Sequence, residues 1–208
     1  MSSVSTVATE ADPGATGRPA RRHPAMAGVV LGVGVLVYLL DRLTKHWALS
    51  ALVENEPREF VGSVLRLRLI FNPGAAFSLG TGATPLFTII QAVVSVAVLV
   101  AATRVGRLPW AVALGLVLGG AAGNLTDRLT RPPGFGLGHV VDFLELPNFP
   151  VFNIADSAIV AAAALVALLS LRGVPFGPLG SVGSDGQPRE PAPRRTPRGT
   201  PRRTDGDG

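Results

Sequence analysis

Four apolar stretches dominate the chain, and each is long enough to form a membrane-spanning helix. Ala25–Leu40 carries no charge and continues with helical spacing through Asp41, Arg42 and Lys45 to about Trp47. Pro85–Thr103, Leu108–Thr126 and Asn153–Leu171 are 19 residues each, and only Asp156 interrupts the last. At the α-helical rise, 19 residues cover about 28 Å, close to the ~30 Å hydrocarbon core of a bilayer. Uncharged sequence in fact runs from Leu69 to Thr103. Asn72-Pro73-Gly74 and the Gly80–Pro85 segment divide it into an extended piece and a helix, with Thr84 predicted as N-cap and Pro85 at the first helical position. In Val64–Phe71, Leu65, Leu67 and Leu69 alternate with Arg66 and Arg68. That period of two predicts a short strand with one apolar and one basic face, part of a small sheet or cradle on the membrane surface. Gly115, Gly119 and Gly123 recur every four residues in the third stretch. They line one helix face and predict close approach of a neighbouring helix. The expected fold is all-α and integral to the membrane: four transmembrane helices with a small β cradle.

Composition supports this reading. Of 208 residues, 47% are hydrophobic and only 16% charged, against about 25% charge in a soluble domain. The chain has no cysteine, which excludes disulfides, thiolate metal sites and a cysteine nucleophile. The net charge of +5 invites a nucleic-acid reading, but seven of the 19 Lys and Arg residues lie at or after Arg172. No nucleic-acid partner is expected.

The termini read differently from the middle. Residues 1–24 are rich in Ser, Thr, Ala, Gly and Pro, with Arg18, Arg21 and Arg22 ahead of the first apolar run. Residues 173–208 mix seven prolines with arginines. Both are expected to be disordered extensions flanking a membrane domain over residues 25–172. The tail is either simply solvated or in touch with anionic head groups. The first stretch has features of a signal peptide, but the charges at positions 41, 42 and 45 interrupt its apolar region, so a retained helix is expected. The loop Arg104–Arg107 falls on the same side as both basic termini. The positive-inside rule then puts both termini in the cytoplasm and the loops 48–84 and 127–152 outside.

Polar residues in or beside spanning helices are costly and are candidates for function. They fall in five places: Asp41–Lys45, Asn72–Phe77, Gly123–Arg128, Gly138–Phe143 and Phe152–Ser157. On this topology all five converge near the outer surface. Asp41 and Lys45, spaced i, i+4, either form a structural ion pair or orient a loop or head group. Asn124, Asp127 and Arg128 share a helix end, and Arg128 is either a brace or a donor to substrate. Asp142, between Val141 and Phe143, would have a raised pKa in an apolar setting, although an acid in a loop is ordinarily solvated. Asp156, three residues after Asn153, suits a helix cap. His139 has no second ligand placed for zinc, so no metal and no cofactor is expected. No serine lies in a nucleophile elbow. What remains is a pair of carboxylates sharing a proton: one activates a water, the other protonates a peptide carbonyl and later the amine.

The five motifs in order resemble the lipoprotein signal peptidase family, also called signal peptidase II, over roughly residues 25–172. They are Asp-x-x-[Ser/Thr]-Lys at 41–45, Asn-x-Gly-Ala-Ala-Phe at 72–77, Gly-Asn-x-x-Asp-Arg at 123–128, Val-Val-Asp-Phe at 140–143 and Phe-Asn-x-Ala-Asp-Ser at 152–157. The resemblance implies an aspartyl endopeptidase of the bacterial cytoplasmic membrane, with its site near the outer face. It implies Asp142 and Asp156 as the catalytic pair. Asn72, Gly74, Asn124, Arg128 and Asn153 fall in positions around the pair, and Asp41, Lys45 and Asp127 in supporting positions. The implied substrate is a prolipoprotein with a diacylglyceryl-modified cysteine, cut on the amino side of that cysteine, by an enzyme acting as a monomer among membrane lipids. The stretch Thr130–Gly138 is longer and richer in Gly and Pro than is usual in the family. Two rival readings are a proton-coupled transporter, disfavoured because the inner halves of all four spans lack acids, and a non-enzymatic membrane scaffold.

Overall fold

The computed structural model describes residues 24–74 and 83–177. The expectations for 1–23 and 178–208, and residues 75–77 of the second motif, lie outside that range. The described elements are α1 (Pro24–Ala51), β1 (Arg58–Val61), β2 (Leu65–Asn72), α2 (Thr84–Ala102), α3 (Leu108–Thr130), β3 (Val140–Glu145) and α4 (Ile154–Leu171). All four helices are long and apolar enough to cross a membrane. Their large apolar side chains point outward, as at Leu36, Leu43, Ile89, Val93 and Val160. This is the pattern of helices solvated by lipid rather than water.

α3 is the central helix. Its small residues let both neighbours approach closely, as the four-residue glycine spacing predicts. A Cβ at Gly115 would fall 2.6 Å from Val33 Cβ, and one at Gly119 would fall 2.5 Å from Val37 Cβ and 2.6 Å from the Gly34 carbonyl oxygen. Gly120, on another face, meets the Ala155 carbonyl of α4 at 2.6 Å in the same sense. Gly119→Ala should therefore push α1 from α3 and lower stability by about 1–3 kcal/mol. An unchanged thermal unfolding temperature in detergent would contradict this packing.

Helix boundaries differ in detail from the sequence expectation. α3 continues through Asp127 and Arg128 to Thr130, so part of the expected outer loop is helical. Thr84 is not the N-cap of α2: Ala83 takes that position without a side-chain cap. The Thr84 hydroxyl instead donates to the Pro73 carbonyl at 2.6 Å, tying the start of α2 to the end of β2. At the other end of the bundle, the start of the expected tail folds back. Trp110 Nε1 donates to the Val174 carbonyl at 3.0 Å, and the Trp110 ring meets Phe176 edge-on at 5.4 Å.

The strands form one antiparallel sheet in the order β1-β2-β3. Leu67 and Leu69 of β2 join Val141 and Phe143 of β3 in an apolar layer on Ala48 and Leu52 at the end of α1. The basic face expected on β2 is neutralised by Glu145, whose carboxylate lies 3.1 Å from Arg66 Nε and 3.3 Å from an Arg68 guanidinium nitrogen. The largest correction concerns the outer loop. Residues 140–145 are a strand, not a loop, and Asp142 on it is 1% exposed rather than solvated.

Candidate active site

The sheet and the helix ends at that end of the bundle enclose a cavity of about 790 Å³ lined by Asn72, Asn124, Arg128, Asp142 and Asp156, among others. Side chains alternate along a strand. With Val141 and Phe143 packed on α1, Asp142 points the other way, into the cavity. Asp156 reaches it from the first turn of α4.

Three asparagines connect the two carboxylates, and in each the amide orientation is set by a donor on its oxygen. The Asn72 oxygen accepts from the Gly74 N–H at 2.8 Å, which leaves its nitrogen to donate to Asp142 Oδ2 at 2.8 Å. The Asn153 oxygen accepts from the Asp156 N–H at 2.9 Å as the cap of α4. Its nitrogen donates to Asp142 Oδ1 at 2.6 Å and to Asn124 Oδ1 at 3.1 Å. The Asn124 oxygen also accepts from Lys45 Nζ at 2.8 Å, so its nitrogen is the end that donates to Asp156 Oδ1 at 2.8 Å. An amide has one acceptor end and one donor end; here every acceptor end is occupied and every donor end serves a carboxylate.

Gly74 is required twice over. Its φ is +111°, and a Cβ there would lie 2.7 Å from the Phe87 ring. The capping reading of Asp156 also holds, since its Oδ2 accepts from the Asn153 N–H at 3.3 Å. One carboxylate thus caps α4 and faces the cavity.

Behind the asparagines lies a buried ionic cluster. Lys45 Nζ is 2.8 Å from Asp41 Oδ2 and 3.0 Å from Asp127 Oδ2, all three side chains fully enclosed. The i, i+4 pair expected from sequence is therefore present, with a second acid added. Asp127 also binds Arg131 Nε at 2.6 Å and an Arg42 nitrogen at 2.5 Å, and accepts from the Val141 N–H at 3.3 Å. Asp41 Oδ1 accepts from the Ala155 N–H at 3.1 Å. A Cβ at Gly123 would fall 2.5 Å from Asp41 Oδ2, so only glycine lets that acid lie against α3. The cluster joins α1, α3, α4 and β3 at one point. Removing one partner of such a cluster strands buried charge, at about 3–5 kcal/mol.

Asp127 braces Arg42, Lys45 and Arg131 rather than Arg128. Arg128 is 5% exposed, lies 5.5 Å over the Phe87 ring, and its Nε and Nη1 have no hydrogen-bond partner among the described residues. No Asp127–Arg128 brace is made among the described residues, and Arg128 lines the cavity. Burial and the nearby Asp156 charge raise the Asp142 pKa from its ordinary 3.8 to about 7, against the opposing effect of the amides of Asn72 and Asn153. Among the described residues no cluster of His, Asp and Glu could hold a metal ion. His139 remains outside the carboxylate network described above.

Sequence reasoning missed Arg42, Arg131 and Glu145. Glu145 had no local signal: its pairing across from Arg66 depends on β3 joining β2. Phe87 of the cavity lining carried none either, because an aromatic residue in an apolar run looks alike whichever face it takes.

Residues 33–172 match the family described as signal peptidase (SPase) II. The chain belongs to the signal peptidase II family. The lipoprotein signal peptidase of Streptomyces coelicolor is 47% identical over 136 residues, 65% of this chain and 67% of that protein. That of Leifsonia xyli is 43% identical over 141 residues, 66% of this chain and 65% of its own. The match thus spans about two thirds of the length of these relatives. The lipoprotein signal peptidase of Mycobacterium avium is 41% identical, with 80% of its length covered. A bacterial membrane enzyme solved by the in meso method at 2.3 Å superposes with a TM-score of 0.63 at 26% identity, covering 79% of this chain and 95% of the other. A second, at 1.9 Å, gives 0.61 at 29% identity, covering 70% of this chain and 94% of the other. In this signal peptidase II family member the described residues of the five motifs meet at one end of a four-helix bundle, and those of the last four contribute to one cavity.

Proposed function

We infer that this chain is an aspartic endopeptidase of the bacterial cytoplasmic membrane. It removes the signal peptide from diacylglyceryl-modified prolipoproteins, cutting on the amino side of the lipidated cysteine. The observation that carries this reading is the pair Asp142 and Asp156 in one cavity, bridged by asparagines whose donor ends all face them. Family membership supports the substrate class. The positive-inside asymmetry of the sequence supports both termini in the cytoplasm and the site at the outer face.

The chemistry follows from the difference between the two acids. Asp142, raised to about 7, is about half protonated at neutral pH, and its protonated form acts as the acid. Asp156 takes a proton from water as that water attacks the peptide carbonyl carbon, while Asp142 passes its proton to the carbonyl oxygen. The tetrahedral diol then collapses. The C–N bond breaks, Asp156 gives its proton to the departing amine, and one diol hydroxyl returns a proton to Asp142. The free donors of Arg128 hold a backbone carbonyl of the substrate. One chain supplies every group, which suits a monomer.

The deciding experiment incubates the purified chain in liposomes with a diacylglyceryl-modified precursor; release of the signal peptide is expected, and an intact precursor would refute the reading. The pH profile is a second check. A raised carboxyl is protonated below its folded pKa and loses the proton above it, so kcat/KM should fall as pH rises through about 7. The midpoint belongs to the pair rather than to one residue. A rate still climbing well above pH 8 would remove Asp142 as the acid.

A further inference from the structure

We propose that residues 131–138 of the loop between α3 and β3 dip into the membrane leaflet on the side of the site, with Phe135 and Leu137 seated among lipid acyl chains. α2 has 19 residues, about 28 Å at the helical rise, so nearly all of it is needed to cross a ~30 Å apolar core. Thr88 lies one turn inside that helix, roughly 6 Å along the axis from Thr84. Its hydroxyl donates to the Gly136 carbonyl at 2.7 Å. The loop is thereby tied to a spanning helix below its end.

The residues flanking Gly136 are the exposed ones: Phe135 is 83% exposed and Leu137 44%. Away from this contact α2 turns Leu86, Ile89 and Ile90 outward, side chains that a spanning helix gives to lipid. No charged residue occurs from Pro132 through Gly138. The Arg131 charge is held back by Asp127 at 2.6 Å. An uncharged loop with two exposed apolar side chains at this depth matches acyl chains, not water.

The loop is also tied to the site. The Gly138 N–H donates to the Arg128 carbonyl at 3.0 Å, and a Cβ at Gly138 would fall 2.3 Å from the Asp127 carbonyl oxygen. The chain therefore returns onto the end of α3 immediately before β3 begins. A loop held at fixed depth in the lipid sets the depth of β3, and with it that of Asp142.

The chain has no cysteine, so Phe135→Cys takes a single nitroxide label in the full-length protein. Liposomes of phosphatidylcholine and phosphatidylglycerol would carry this variant beside Ile89→Cys, a lipid-facing reference, and Glu56→Cys, an aqueous one. Oxygen concentrates in the acyl region and a chelated nickel relaxer in water, so their ratio reports the environment. The label at 135 should give a ratio several-fold above that at 56 and comparable to that at 89. A ratio like that at 56 would place the loop in water, and low access to both reagents would mean that protein covers it; either result overturns the proposal. Should Phe135→Cys fail to insert, Leu137→Cys carries the same expectation.

Discussion

Asp142→Asn and Asp156→Asn should each reduce cleavage of a lipidated precursor by about 10³-fold or more. General acid–base catalysis by one positioned group contributes about 10²–10⁴, and in the proposed mechanism each carboxyl serves both the attack and the collapse step. The fold should survive. Asp142 accepts two amide hydrogen bonds, from Asn72 and Asn153. An amide replacing it must turn its own nitrogen toward one of those donors, at about 1–3 kcal/mol for the lost bond. Offsetting this, the substitution removes a buried group whose charged form is disfavoured. Asp156→Asn weakens the α4 cap as well, by up to about 1 kcal/mol. Single-turnover cleavage in liposomes, with thermal unfolding measured on the same samples, checks both halves. Near-normal turnover by either folded variant would remove that residue from the catalytic pair.

Lipid on the substrate cysteine should raise cleavage efficiency by about 100-fold or more. Each acyl methylene buried in the bilayer contributes roughly 0.8 kcal/mol to anchoring. Anchoring converts capture of a peptide from bulk water into a search within the membrane, which raises its effective concentration. It also fixes the depth of the scissile bond relative to Asp142 and Asp156, and a misplacement near 1 Å alone is costly to rate. The cavity extends from the acids along Val160, Ala161 and Ala164 of α4, an apolar path beside a lipid-exposed helix. One precursor, with and without its diacylglyceryl group, compared in the same liposomes, is the direct measurement. Equal efficiency for the two forms would count against both the substrate class and the position of the site at the membrane boundary.

The same two acids show why the site was only partly legible. Asp156 was readable as a cap because capping is a local matter of three residues. Asp142 was not readable as a strand residue. Val140–Glu145 is covered on both faces, with five of its six residues buried. A strand buried on both sides shows no alternation, and six residues are too few to tell an apolar strand from an apolar loop. β2 could be read because its arginines stay half-exposed opposite its leucines.

What the chain determines by itself is what depends on composition and short spacing. Lipid replaces water around the helices, so each span is a long, mostly apolar run whose polar residues gather toward one end. The glycine stripe and the Asp41–Lys45 pair follow from three to four residues per turn. Only the tertiary structure decided how the polar groups are shared. Asn72 donates to an acid 70 residues away, Lys45 reaches Asn124 across 79 positions, and Asp127 serves Lys45 and Arg42 rather than its sequence neighbour Arg128. No local period encodes such partners. In a dry, low-dielectric layer each buried donor and acceptor must find a mate, and which mate it finds depends on how α1, α3, α4 and β3 meet.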